Sequence, residues 1–198
     1  MTRPTIFFIR HGQTDWNVER RLQGQRDTPL NEIGRGQARR NGRMLAAHFA
    51  AAGTDPDSFD FVASPLLRAA TTMELVRAEM GLDPAAYRTD PRLMEITFGA
   101  WEGYTLDELA VEYGMAAAAR EADKWNYVPP GGESYSMLTD RIRGWLDGVD
   151  RPTVAVSHGG VNRAFRGLLE DMPAHEIPSL DVPHDRILKV AGGTLEWI

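Results

Sequence analysis

Three apolar stretches of this 198-residue chain each stop at residues able to do chemistry. Phe7-Phe8-Ile9 runs directly into Arg10, His11 and Gly12. Val154-Ala155-Val156 runs into Ser157, His158, Gly159 and Gly160. Phe61-Val62-Ala63 runs into Ser64, with Arg68 about one helical turn further on. If the fold brings these ends together, four cationic or potentially cationic groups face one point, and an anion is called for. Two arginines suit planar, bidentate recognition of phosphate or carboxylate. Gly159-Gly160 at a helix start adds free backbone N–H groups. Phosphate is the natural guest. A phosphate pocket needs only arginine and lysine, however, and here histidine is used twice. A neutral imidazole is a nucleophile that can carry a covalent intermediate, and surrounding cations oppose its protonation. A phosphorylated histidine splits phosphoryl transfer into two steps. One carboxyl group can then protonate the leaving alkoxide and later activate water. Glu95 in Arg92-Leu93-Met94-Glu95-Ile96 is the first candidate; Glu102 and Glu133 are its rivals.

The elements that must position these groups alternate along the chain. Thr5 to Arg10 reads as a strand covered on both faces, because it is apolar without interruption. A helix follows from the Leu30–Gly34 region to about His48. Phe59 to Ala63 reads as a second strand. Ser64-Pro65 then opens a helix, with serine as N-cap and proline in the first turn, that runs to Met80 and stops at Gly81. Tyr87 to Ile96 holds a weaker strand that ends near Glu95. Glu133 to Gly148 is helical, Thr153 to Ser157 a further buried strand, and Gly159 to Leu169 the helix after it. Gly192-Gly193 joins two short strands as a hairpin. This order predicts a three-layer α/β/α sandwich, with a mostly parallel central sheet and an antiparallel edge. In such sheets ligands bind beyond the carboxyl ends of the strands, where the three apolar stretches end.

Composition narrows the partners. Hydrophobic residues make up 42% and charged residues 25%, which is ordinary for one globular domain. A net charge of −6 argues against nucleic acid or an anionic membrane surface as the main partner. The absence of cysteine excludes a disulfide framework and a thiolate nucleophile, and fits a cytoplasmic location. No stretch has the length of a secretory leader or a membrane span.

Taken in order, several blocks resemble the histidine phosphatase superfamily, also called phosphoglycerate mutase-like. They are Arg10-His11-Gly12 with Thr14 and Trp16-Asn17, Leu22-Gln23-Gly24-Gln25, Ser64-Pro65-Leu66 with Arg68-Ala69, Leu93 and Glu95 with Trp101-Glu102-Gly103, Pro130-Gly131-Gly132-Glu133-Ser134, and Ser157-His158-Gly159-Gly160. The resemblance implies that His11 is the phosphorylated nucleophile. It also implies that Arg10, Arg68 and His158 hold the phosphoryl oxygens, and that Glu95 is the proton donor and acceptor. Asn17, Gln23, Gly24 and Gly159 fall at phosphate- or substrate-binding positions. No metal or organic cofactor is expected. The substrate implied is a small-molecule phosphomonoester, and the family allows monomers and homodimers. Residues 1–198 read as one domain with a lid or specificity insertion around 97–132.

Mutases of the family carry a basic Arg-His-Tyr run after the proton-donor glutamate. Ile96-Thr97-Phe98 stands there instead, which resembles the phosphatase branch. A phosphomonoesterase is therefore the first reading. A phosphoglycerate mutase, and a phosphate- or phosphoprotein-binding module without catalysis, are the alternatives. The insertion offers Trp125 and Tyr127 as core or pocket wall, and Arg120 and Lys124 as substrate contacts. Arg35, Arg39, Arg40 and Arg43 read as a solvated helix face. His48 reads as packed or exposed. His175 and His184 read as surface loop, although His184-Asp185-Arg186 is also open to a substrate contact or an interface.

Overall fold

The uninterrupted apolar runs lie in the middle of the molecule because both of their faces are covered. The computed structural model describes residues 3–198, so residues 1 and 2 of the expected domain lie outside it. In chain order the elements are β1 (Ile6–Arg10), α1 (Asp15–Val18), α2 (Glu32–Ala52), β2 (Asp60–Ala63), α3 (Leu67–Glu79), β3 (Arg88–Thr89), α4 (Leu106–Glu112), α5 (Gly114–Ala122), α6 (Tyr135–Leu146), β4 (Thr153–Ser157), α7 (Gly159–Leu169), β5 (Ile187–Ala191) and β6 (Thr194–Trp197). The six strands form one sheet in the order β3-β2-β4-β1-β5-β6. The pairs β1–β4, β2–β4 and β2–β3 are parallel, whereas β1–β5 and β5–β6 are antiparallel. The expected mostly parallel sheet with an antiparallel edge is therefore observed.

Side chains alternate across a strand, so each strand feeds two cores. Phe7 and Ile9 pack with Leu45, Phe49 and Met73 of α2 and α3. Ile6 and Phe8 pack on the opposite face with Trp145 of α6 and Phe165 of α7. The Phe8 and Phe165 rings stack at 4.6 Å. Truncating such a buried aromatic to alanine costs about 3–5 kcal/mol, so Phe8 ties the sheet to its outer layer.

Several boundaries differ from the sequence reading, each for a local reason. α2 continues past His48 to Ala52, carried by an alanine-rich run, and stops where Gly53 turns left-handed (φ 59°). α3 begins at Leu67 rather than at Ser64-Pro65, and Ser64 does not cap it. The Ser64 hydroxyl lies 2.8 Å from His158 Nε2, and Asp27 Oδ1 accepts the Leu67 N–H at 2.6 Å instead. The strand expected over Tyr87 to Ile96 shrinks to the two residues of β3. Asp90 caps the Arg92 N–H at 2.9 Å and Pro91 opens a 3-10 turn, so Glu95 follows that turn rather than a strand end. The helix expected from Glu133 starts at Tyr135, capped by Ser134.

Candidate active site

Parallel pairing sets the carboxyl ends of β1, β2 and β4 on one rim. Arg10 is the register partner of Ser157, and Ala63 that of Val156. The ladder continues one step beyond: the His11 N–H donates to Ser157 O at 2.9 Å, and the Ser64 N–H to Val156 O at 3.0 Å. His11, Ser64 and His158 are thus placed by backbone pairing. A cavity of about 160 Å³ opens on this rim. Of the expected residues, Arg10, His11, Asn17, Gln23, Gly24, Arg68 and Glu95 line it. His158 and Gly159 stand just behind. The His158 ring is 5.1 Å from that of His11, and Gly159 packs against the Arg10 guanidinium, while Gly160 reaches the lining.

His11 is 2% exposed, and its Nδ1 lies 2.7 Å from Gly12 O. A carbonyl only accepts, so Nδ1 carries the proton and Nε2 carries the lone pair. The ring is held well below its ordinary pKa. Burial is the larger cause, and the charges of Arg68 and Arg10 come second. The expected cause, neighbouring cations, therefore operates but ranks below desolvation. His158 is pushed down in the same way, by burial and then Arg68.

Arg10 and Arg68 are fixed by backbone carbonyls, not by carboxylates. Arg68 is fully buried on α3 and donates to Arg26 O at 2.8 Å and to Gly24 O at 2.7 Å. Arg10 donates to Val182 O at 2.5 Å, and burial brings its pKa down to about 10. Nε of Arg10, Nε of Arg68 and Nδ1 of His158 are buried and make no hydrogen bond among the described residues. Thr28 donates to Gln23 Oε1 at 2.7 Å, which leaves the Gln23 amide N–H groups for the cavity. Gly24 must be glycine. Its φ is +52°, and a Cβ there would sit 2.0 Å from Glu102 Oε1.

The three acidic candidates separate cleanly. Glu95 lines the cavity, with Oε2 accepting from the Gly160 N–H at 3.1 Å and Oε1 from its neighbour Ile96 at 3.0 Å. Glu102 is occupied by Gln25 N–H, Thr97 Oγ1 and Phe98 N–H at 2.9, 2.8 and 3.2 Å. Glu133 is paired with Arg141 at 2.8 Å. Both rivals hold loops together.

The tail supplies a residue that the sequence reading left between surface loop and substrate contact. His184 points its Nδ1 at His11 O (2.7 Å), and its ring is 5.7 Å from that of His11. Burial and then Arg10 bring its pKa to about 4. The signal was present in the hairpin. β5 runs antiparallel to β1, with Ile187 opposite Ile9, so the residues before β5 arrive at the same rim as the residues after β1. Arg163, Tyr135 and Arg21 also line the cavity. In the insertion, Tyr127 stacks on Trp101 at 5.6 Å, Lys124 pairs with Glu121, and Arg120 lies over the Phe98 ring; of 97–132 only Phe98 lines the cavity. Among the described residues there is no cluster of His, Cys, Asp or Glu able to hold a metal, and no helix long and apolar enough to cross a membrane.

A profile of the histidine phosphatase superfamily (branch 1) matches residues 6–193. The chain belongs to this family. The resemblance read from its motifs is thereby borne out. A glucosyl-3-phosphoglycerate phosphatase of Mycobacterium tuberculosis is 34% identical over 189 residues, covering 88% of this chain and 79% of that protein. A 2,3-bisphosphoglycerate-dependent phosphoglycerate mutase of Beijerinckia indica is 29% identical over 187 residues, covering 89% and 86%. Among solved structures, a mycobacterial glucosyl-3-phosphoglycerate phosphatase complexed with VO3 superposes with a TM-score of 0.79 at 30% identity, covering 98% of this chain and 96% of that one. This histidine phosphatase therefore has both phosphatases and mutases among its relatives.

Proposed function

We propose that this histidine phosphatase is a cytoplasmic phosphomonoesterase for a small phosphorylated metabolite, acting through phosphohistidine at His11. The observation that carries the reading is the His11 tautomer. Nδ1–H is spent on Gly12 O, and burial keeps the ring neutral, so Nε2 is a free nucleophile in a cavity lined by arginines. In the first step Nε2 attacks phosphorus and the P–O ester bond breaks. Glu95 gives its proton to the departing alkoxide. In the second step the Glu95 carboxylate takes a proton from water, the water oxygen attacks phosphorus, the P–N bond breaks and phosphate leaves. Arg10, Arg68 and His158, with Asn17, Gln23, Gly24 and Gly159 around them, hold the phosphoryl oxygens as charge spreads over them.

Hydrolysis is favoured over mutase chemistry by the wall after Glu95. Ile96 and Phe98 line the cavity there, and an apolar wall gives the second phosphate of a bisphosphate no partner on that side. Of the segment 97–132, Phe98 is the residue that shapes the cavity, and the relatives suggest a phosphorylated glycerate or its sugar conjugate as substrate class. The test is a phospho-metabolite panel assayed for phosphate release, with His11→Ala as control. 3-Phosphoglycerate is followed in parallel for isomerisation. Phosphate release that depends on His11 is expected. Isomerisation without release would replace this reading with the mutase, and full turnover by His11→Ala would end both.

A further inference from the structure

The segment between α7 and β5 sends one ring to the nucleophile. Residues 180–184 belong to no helix or strand. Side chains from three elements take up their carbonyls. Arg163 Nε of α7 donates to Leu180 O at 2.7 Å, Arg10 Nη1 at the end of β1 to Val182 O at 2.5 Å, and Asn41 Nδ2 of α2 to His184 O at 3.1 Å. Val182 is buried. An irregular segment that is buried needs partners of this kind for its backbone. The three anchors also fix where the His184 ring points.

That ring meets the backbone of His11. His184 Nδ1 lies 2.7 Å from His11 O, and a carbonyl only accepts, so Nδ1 carries the proton. No other donor reaches His11 O among the described residues. The same peptide unit is held on its other edge, where the Gly12 N–H donates to Thr72 Oγ1 at 3.2 Å. A peptide unit is planar, so two anchors on opposite edges fix its tilt. The tilt sets the His11 Cα at one end and the start of Gly12 at the other. Gly12 O in turn holds His11 Nδ1 at 2.7 Å and so aims Nε2. Imidazole suits the place: with a pKa of about 4 the His184 ring is neutral at pH 7. A lysine or arginine making the same bond would add a cation beside Arg10 and His11. We propose, resting on the reading above in which His11 Nε2 attacks phosphorus, that His184 is a positioning residue for phosphoryl transfer, its Nδ1–H holding the His11–Gly12 peptide at the tilt that aims the nucleophile.

Asparagine and glutamine separate this role from packing. An asparagine amide nitrogen reaches as far as imidazole Nδ1, and that of glutamine as far as Nε2. His184→Asn therefore keeps a donor at the His11 carbonyl, whereas His184→Gln carries it past. Single-turnover phosphorylation of His11 by p-nitrophenyl phosphate is measured, because this leaving group keeps Glu95 out of the comparison. His184→Asn is expected to stay within about 3-fold of the parent rate and His184→Gln to fall about 10- to 100-fold, the cost of misplacing a reacting group. Phosphate affinity by calorimetry is expected to change by less than about 3-fold in both, since the clamp itself is untouched. Nitrogen NMR of the His11 ring is expected to show the Nδ1–H tautomer in the parent and in His184→Asn, and a share of the Nε2–H tautomer in His184→Gln. Thr72→Val removes the opposite anchor at nearly constant shape and keeps the test open should His184→Gln fail to fold; it is expected to slow the same step about 10-fold. Equal rates in the Asn and Gln variants, a loss that appears in phosphate affinity instead, or full phosphorylation by Thr72→Val overturns the positioning role. If the parent hydrolyses no phosphoester while the tautomer shift in His184→Gln persists, the positioning role stands and the hydrolytic reading fails.

Discussion

Gly160→Ala tests the role of Glu95 without touching it. Gly160 is the second residue of α7, and a Cβ there would lie 2.5 Å from Glu95 Oε1 and 3.1 Å from Ile96 Cγ2. Ordinary contact begins at 3.4 Å, so the carboxyl oxygen must retreat by the difference, 0.9 Å. The atom in the way ends a flexible side chain, so the fold can absorb the change. The backbone does not object either: Gly160 is helical, and alanine is favoured there over glycine by about 1 kcal/mol. The expected protein is as stable as its parent, with a misplaced acid. A displacement of about 1 Å at a reacting group costs on the order of 100-fold in rate. The leaving group should decide where that loss appears. p-Nitrophenolate departs with little help from a proton, whereas an alkoxide cannot. In single-turnover phosphorylation of His11, which precedes the hydrolytic step that Glu95 also serves, the rate on an alkyl phosphate is therefore expected to fall about 100-fold, and that on p-nitrophenyl phosphate only a few-fold. Parallel thermal unfolding checks the fold. Equal losses on both esters, or no loss on either, would refute the assignment of Glu95 as the proton donor.

Other outcomes follow from the same geometry. Arg68→Ala removes a fully buried donor and should lower kcat by about two to three decades, the usual cost of one preorganised donor; a loss under tenfold would exclude it from the clamp. Acid should destabilise the fold. His184 has a pKa of about 4 when folded and about 6.5 when unfolded. Between those values the unfolded chain binds a proton that the folded chain does not. Stability is therefore complete above pH 6.5 and declines below it, by about 2 kcal/mol at pH 5 from His184 alone. His11 and His158 act in the same direction. Urea midpoints that stay level between pH 7.5 and pH 5 would contradict this. Gly12→Ala would place a Cβ 2.1 Å from Gly34 O, and two backbones in contact cannot yield as a side chain can. A loss of about 1–3 kcal/mol or more is expected in denaturant titration.

What the sequence revealed follows a physical line. β1, β2 and β4 were legible because each carries an uninterrupted apolar run buried on both faces, and their ends located Arg10, His11, Arg68 and His158 together. Glu95 was legible as a type of group, yet only the structure shows how its rivals differ from it, in their partners: Arg141 for Glu133, and the Gln25, Thr97 and Phe98 contacts for Glu102. Ser64 misled because its position before a proline imitates a helix cap, whereas its hydroxyl belongs to His158 from another strand. His184 is 173 positions from the carbonyl it meets. No local pattern encodes such a contact; only the antiparallel sense of β5 brings it within reach. The ranking of burial above charge at His11 also needed coordinates, because a sequence shows which cations are present but not how much water is excluded.

The place of β1 in the sheet has a consequence for synthesis. The first strand made lies between β4 and β5, so both of its edges wait for partners more than a hundred residues downstream. On a ribosome, an apolar ribbon with two open edges must be shielded until the chain has been translated past residue 187. Refolding should accordingly be slow for a chain of this size, and translation that aborts before β5 should release material for proteolysis rather than a partly active hydrolase.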